Sequence, residues 1–139
     1  MILTDTGPLV ALMDTDDKYY NACTSYANSL NAGPLITPSA CWVEAMYLLH
    51  RAGGYPLQAE LWRAREIGLL RIHETSDSEY NRMAALMATY RDTPMDLADA
   101  AVMAAAEHLG LSTVFTVDKH FLIYQTAKGP LNVVPGLKS

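Results

Sequence analysis

The sequence predicts an α/β fold with a parallel sheet covered by helices on both faces. Two observations carry this. Short apolar runs, such as Thr113-Val114-Phe115-Thr116-Val117, alternate along the chain with longer stretches of helical character. That alternation marks βαβ units, whose strands are buried on both faces and read as continuous apolar runs. The chain is also the right size: 139 residues, half of them apolar and 18% charged, with no repeat or long linker. We expect one domain over residues 1–139, large enough to bury a core without disulfides.

The elements follow in order. Met1–Thr4 is an apolar run ending at Asp5, which suits a buried strand and a turn. Thr6 is a candidate cap for a short helix with Pro8 in its first turn. Asp14–Asp17 reads as a loop, and a helix is expected from about Lys18 to Leu30, stopped by Asn31–Gly33. Pro34–Thr37 is a second short strand. Pro38–Ser39 opens an apolar helix from about Ala40 to His50, and Gly53–Gly54 breaks it. Pro56 starts another helix to about Ile67, and Leu69–His73 is the third strand. Ser76 or Asp77 caps a helix to about Tyr90, and Glu79 falls three residues after Ser76, the capping-box spacing. Met95–Leu109 is a long Ala-rich helix closed by Gly110. Ser112–Val117 is a β-branched strand ending at Asp118, and Leu131–Val134 is the last strand.

Composition excludes several classes. Cys23 and Cys41 are the only cysteines and have no metal-ligand spacing, so neither a disulfide scaffold nor a zinc site is expected. The first residues lack a basic leader, and no apolar stretch is long enough to span a membrane. A cytoplasmic protein is the expectation. With 15 acids, 10 bases and a pI near 5.2, bulk charge does not favour nucleic acid. Chains lacking Gly-x-x-x-x-Gly-Lys-Ser/Thr and Gly-x-Gly-x-x-Gly loops are poor candidates for NTPases or dinucleotide binders.

Five acids stand in apolar surroundings. Ligands of parallel sheets gather beyond the C-terminal strand ends, which directs attention to Asp5 and Asp118. Each also reads as a helix cap. Glu44 sits in Ala40-Cys41-Trp42-Val43-Glu44-Ala45-Met46-Tyr47-Leu48, with Ala40, Tyr47 and Leu48 on its helical face. An isolated carboxylate there is costly unless it snorkels, pairs with Arg51, or binds a cation. Asp96 and Asp99 share one face at the head of the Ala-rich helix, where acids suit the dipole. Two like charges about 4 Å apart repel by roughly 4 kcal/mol at an effective dielectric of 20. A cluster of these acids therefore stays partly protonated or holds a hard cation, Mg²⁺ or Mn²⁺.

These residues resemble a known family. Ile2-Leu3-Thr4-Asp5-Thr6 is similar to the first motif of the PIN domain, and Glu44 in its helix to the second. Asp99-Ala100 resembles the third motif. Thr116-Val117-Asp118-Lys119-His120-Phe121 resembles the fourth, T-x-D-x-x-F. Their order, and the gap of 19 from Asp99 to Asp118, resemble the small VapC-type PIN proteins. The resemblance implies a three-layer α/β/α sandwich with a central, mainly parallel sheet of four or five strands. It implies a Mg²⁺- or Mn²⁺-dependent ribonuclease acting as the toxin of a toxin–antitoxin pair. Its four acids correspond to Asp5, Glu44, Asp99 and Asp118, with Thr116 and Thr6 as supporting hydroxyls. Asp5, Asp99 and Asp118 are then the metal ligands, with Glu44 and Asp96 as further candidates. Two departures stand out: Gly7 replaces a serine of the first motif, and Asp96 is an extra acid.

The expected partners are an RNA substrate, a cognate antitoxin and a second copy of the chain. A homodimer face or partner groove is sought among Trp42, Tyr47, Leu48, Leu49, Leu61 and Trp62, which equally suit a core. The alternatives are a PIN-like binding module with little activity and a metal-dependent phosphohydrolase of small molecules. His120 is expected to be a surface or capping residue. Setting the four site acids aside leaves 11 acids against 10 bases, so most of the acidic excess belongs to the expected cleft.

Overall fold

The computed structural model describes residues 1–30 and 33–136. Five strands form one sheet: β1 (Ile2–Thr4), β2 (Leu35–Pro38), β3 (Leu70–His73), β4 (Thr113–Phe115) and β7 (Asn132–Val134). Their order is β3-β2-β1-β4-β7, and every neighbouring pair is parallel. The chain builds outward from β1 through β2 to β3, then returns to pair β4 on the other side of β1. The switch point lies between β1 and β4.

Register divides the sheet's side chains between two layers. Leu3 pairs with Ile36 and Val114, so the three share a face. That face packs on α5 (Asp77–Thr89) and α6 (Leu97–Leu109) through Met83, Leu86 and the run Ala100–Ala106. All seven residues of that run are buried, so α6 is apolar all round, as a helix enclosed by its neighbours must be. The opposite face packs Leu35, Leu70 and Phe115 against α1 (Thr6–Met13), α2 (Tyr20–Ser29) and α4 (Tyr55–Glu66). Helix α3 (Ser39–Gly53) touches both layers, with Cys41 in one and Ala45 and Leu49 in the other. The molecule is thus an α/β/α sandwich with five parallel strands.

Most expected elements occur within a few residues of their expected ends. Ser76 and Glu79 form the expected capping box, and Gly110 closes α6 with φ +67°. The long helix begins at Leu97, two residues later than expected, because Asp96 is its cap. Helix α3 runs to Gly53 rather than His50. The stop expected at Asn31 lies outside the described residues. The short helix expected after Asp118 is a 3₁₀ turn over Lys119–Leu122, and one feature was not anticipated, a hairpin of β5 (Gln125–Thr126) and β6 (Gly129–Pro130). The hairpin is tied to α6 by the Ala127 N–H, which donates to Glu107 Oε2 at 2.8 Å. Glu107 is in turn held by Arg82 at 2.7 Å.

The apolar residues proposed for a core or a partner face divide. Leu49 and Leu61 are fully buried. Trp42 is half-buried and meets the exposed Trp62 edge-on at 5.0 Å. Tyr47 and Leu48 are exposed, so the face around Glu44 is open and not the enclosed apolar surface its neighbours suggested. No helix among the described residues is long and apolar enough to cross a membrane.

Candidate active site

Backbone pairing brings the first two acids together. The Asp5 N–H extends the β1–β4 ladder by donating to Phe115 O at 2.9 Å. Asp5 therefore stands beside Thr116, and Asp118 follows two residues later. Thr116 joins them: its hydroxyl donates to Asp5 Oδ2 at 2.8 Å and accepts the Asp118 N–H at 3.0 Å. Asp118 also caps the 3₁₀ turn. Its Oδ1 accepts the His120 N–H at 2.9 Å and meets His120 Nδ1 at 2.8 Å. The cap and site readings of Asp118 thus describe the same side chain.

Helix α6 supplies the third acid. Asp96 Oδ1 accepts the Asp99 N–H at 2.8 Å, and Asp99 Oδ2 accepts the Asp96 N–H at 3.3 Å. This reciprocal box sets the helix start and turns the Asp99 side chain inward. One oxygen each from Asp5, Asp99 and Asp118 fits within a 4.8 Å group, the one such His/Cys/Asp/Glu group among the described residues. Glu44 and Asp96 line the same cleft, of about 320 Å³, but lie outside that group. Of the two further ligand candidates, Asp96 is thus committed as a cap, while Glu44 stands half-buried on α3.

The electrostatics are those of crowded, buried acids. Burial pushes the Asp5 carboxyl up to about 6, against the lowering hydrogen bond from Thr116, while Asp118 and Glu44 raise it further. Burial pushes Asp99 up to about 7, with added repulsion from Asp96 and Asp5. Six carboxylates line the cleft, and among the described residues no Lys, Arg or His does. The Thr6 hydroxyl is buried there without a hydrogen-bond partner among the described residues. An all-oxygen donor set, a concentrated negative charge and an unsatisfied hydroxyl oxygen together fit a hard divalent cation.

Several contributors escaped the sequence reading. Tyr124 is fully buried, and its Oη lies 2.6 Å from Pro94 O and 3.3 Å from Asp99 Oδ2. Cys41 Sγ lies 3.8 Å from Asp5 Oδ1, and burial followed by repulsion from Asp5 raises its thiol well above the usual range. Asp17 and Tyr19, read as loop and helix, line the cleft. Only Tyr124 had a local signal, an aromatic residue shortly after the T-x-D-x-x-F stretch. Gly7, the departure from the first motif, has a physical cause. A Cβ there would stand 2.6 Å from Val117 Cγ2, so the start of α1 and the residue before Asp118 approach too closely for a side chain.

A parallel sheet with carboxylates gathered beyond the ends of the two strands at its switch point defines a class of α/β proteins with an acidic cleft at the place where ligands of such sheets bind. Within that class, the chain belongs to the PIN domain family, which matches residues 2–127. No curated protein matches it in sequence. Among solved structures, the fold is similar to VapC20 of Mycobacterium tuberculosis, described as a sarcin–ricin loop cleaving toxin. The TM-score is 0.81 at 16% identity, over 88% of this chain and 94% of that one. VapBC2 of Rickettsia felis, bound to a DNA fragment from its promoter, gives 0.65 at 17% identity over 96% and 97%. A toxin–antitoxin complex from Klebsiella pneumoniae gives 0.62 at 19% identity over 85% and 87%.

Proposed function

We propose that this protein is a metal-dependent endoribonuclease, cytoplasmic and folded as one domain over residues 1–139, and the toxin of a toxin–antitoxin pair. The observation that carries the reading is the convergence of Asp5, Asp99 and Asp118 in a cleft lined by six carboxylates and, among the described residues, no basic side chain. Membership of the PIN family supports nuclease chemistry, and the toxin–antitoxin neighbours support an antitoxin partner.

In this reading Asp5, Asp99 and Asp118 hold Mg²⁺ or Mn²⁺. When bound, the ion supplies Lewis acidity, offsetting charge on the phosphate and making water a better nucleophile. Thr116 fixes the Asp5 carboxylate and the Asp118 backbone, so the two acids move as a unit. The Asp96 box and Tyr124 orient Asp99. Glu44, half-exposed at the cleft, accepts the proton of the attacking water as its oxygen bonds to phosphorus. One P–O ester bond breaks, and the leaving oxygen is protonated from solvent. His120 is occupied by Asp118 and is not needed for this chemistry.

The test is cleavage of a mixed RNA pool with Mg²⁺, with Mn²⁺ and with EDTA. Cleavage should require the ion, and Asp118→Asn should abolish it while circular dichroism remains native. Activity that persists in EDTA, or in both Asp5→Asn and Asp118→Asn, overturns the assignment. The partners are checked separately. Light scattering should show a homodimer, and a short upstream reading frame should encode a protein that co-purifies and inhibits cleavage.

A further inference from the structure

We propose that the β5–β6 hairpin is a clamp on the acid cluster: Tyr90 and Glu107 are positioning residues that hold the hairpin's backbone and so seat the Tyr124 hydroxyl against Asp99. This rests on the metal-dependent reading above and adds what keeps one ligand in place from outside the cleft. The hairpin cannot hold itself. Its strands are two residues each, and Gln125, Ala127, Lys128 and Pro130 are exposed. A two-stranded hairpin with so little buried surface is marginal in water, so its position is set by what it is tied to. Its internal bonds shape the turn without anchoring it. The Thr126 hydroxyl donates to Gly129 O at 2.8 Å and accepts the Lys128 N–H at 3.1 Å.

Two side chains supply the ties, Tyr90 at the end of α5 and Glu107 of α6. The Gln125 N–H donates to the Tyr90 hydroxyl at 2.9 Å. The Ala127 N–H donates to Glu107 Oε2 at 2.8 Å, and Arg82 of α5 fixes Glu107 through Nε at 2.7 Å. Tyr124 immediately precedes the tied segment. Its ring meets Tyr90 edge-on at 5.1 Å and Phe121 edge-on at 5.4 Å. Tyr90 therefore grips this stretch twice, through its ring at Tyr124 and through its hydroxyl at the next residue. The Tyr124 hydroxyl reaches Pro94 O at 2.6 Å and Asp99 Oδ2 at 3.3 Å. These two acceptors lie on either side of Asp96 in the chain, so the hydroxyl braces the same helix start that the Asp96–Asp99 box defines. The Asp99 contact is near the long limit of a hydrogen bond, and a small outward shift of the hairpin breaks it. Groups that hold a metal ligand from behind set its orientation and thereby the affinity for the ion.

The test reads amide exchange in EDTA and Mn²⁺ affinity by calorimetry, both on the full chain. Tyr90→Phe keeps the ring and removes only the hydroxyl, and Glu107→Ala removes the acceptor of the Ala127 N–H. In each variant the Gln125 and Ala127 amides should exchange faster, and the Asp96 and Asp99 amides with them. Mn²⁺ affinity should fall by roughly 2- to 12-fold in each, the worth of one hydrogen bond. In Tyr124→Phe it should fall by roughly 10- to 100-fold. Added to Tyr124→Phe, neither clamp substitution should cost anything further, because both act through that hydroxyl. Glu107→Gln keeps an oxygen for the Ala127 N–H and should recover most of the affinity lost in Glu107→Ala. In RNA cleavage the Mn²⁺ concentration for half-maximal rate should rise, while KM for RNA and kcat at saturating Mn²⁺ stay as they are. General structural damage does not produce that split. Additive losses in the double variants, faster hairpin exchange with unaltered Asp96 and Asp99 amides, or unaltered Mn²⁺ affinity in both Tyr90→Phe and Glu107→Ala overturn the clamp. The same couplings without RNA cleavage leave the clamp standing and remove the nuclease reading. A natural protein that binds no Mn²⁺ removes the metal reading. Joint exchange of the two amide pairs then upholds the clamp, and independent exchange overturns it.

Discussion

Asp99 is held from two sides, by the Asp96 N–H and by the Tyr124 hydroxyl, each 3.3 Å from the same oxygen. Even so, burial and the neighbouring acids keep its carboxyl far above the ordinary range. Its ionised form is therefore costly to the fold, a cost that a cation offsets on the proposed reading. Asp99→Asn should remove the ionised form without changing the volume. We expect its melting temperature in EDTA at pH 7.5 to rise above that of the natural protein. Added Mn²⁺ should then produce little further shift. A lower melting temperature would mean that Asp99 is satisfied without an ion. Elsewhere a buried acid is fully paired. Burial opposes the charge of Glu79, but His73 and Ser76 hydrogen bonds hold it below the usual range. Composition does not distinguish Glu79 from Asp99; their partners do.

The start of α1 and the segment that follows β4 are coupled through a single close approach. Gly7 has no side chain, and Val117 occupies the space a Cβ would need. A serine or alanine at position 7 forces Val117 off its rotamer or shifts α1, and overpacking of this kind costs about 1–3 kcal/mol. Gly7→Ala should accordingly destabilise in urea titration by about that amount. Combining it with Val117→Ala should recover part of the loss, because the two changes share one contact. Additive losses would mean that the glycine serves some other purpose. The strand and helix order was readable from alternating apolar runs and from Pro, Gly and capping residues, all of them local signals. The β5–β6 hairpin was not, since two-residue strands carry no periodicity and this one is anchored by Glu107 from a distant helix.

For the whole molecule, the two perturbed aspartates set a pH dependence. Their unfolded values are near 3.8, and their folded values are about 6 for Asp5 and about 7 for Asp99. Between these limits the folded protein binds more protons than the unfolded chain, so their contribution to stability declines as pH rises from about 4 to about 7. Glu79 and Glu107 act in the opposite sense, since their folded values are lowered and their contribution is lost in acid. The metal-free melting temperature should therefore fall between pH 5 and pH 7.5. Mn²⁺ at about 100 times its Kd should restore roughly 2.7 kcal/mol at pH 7.5 and much less at pH 5, where the ligands are protonated. A metal-induced shift independent of pH would remove Asp5 and Asp99 as ligands. The sequence by itself determined the layered parallel fold and the order of Asp5, Glu44, Asp99 and Asp118, because strand patterning, caps and short motifs are local in the chain. The tertiary structure alone decided which acids meet. Thr116 reaches Asp5 across 111 residues, Asp96 is spent on a cap while Asp99 turns inward, and Glu44 opens onto the cleft from α3. Such contacts depend on sheet order and register, which place residues distant in sequence side by side and leave no local trace.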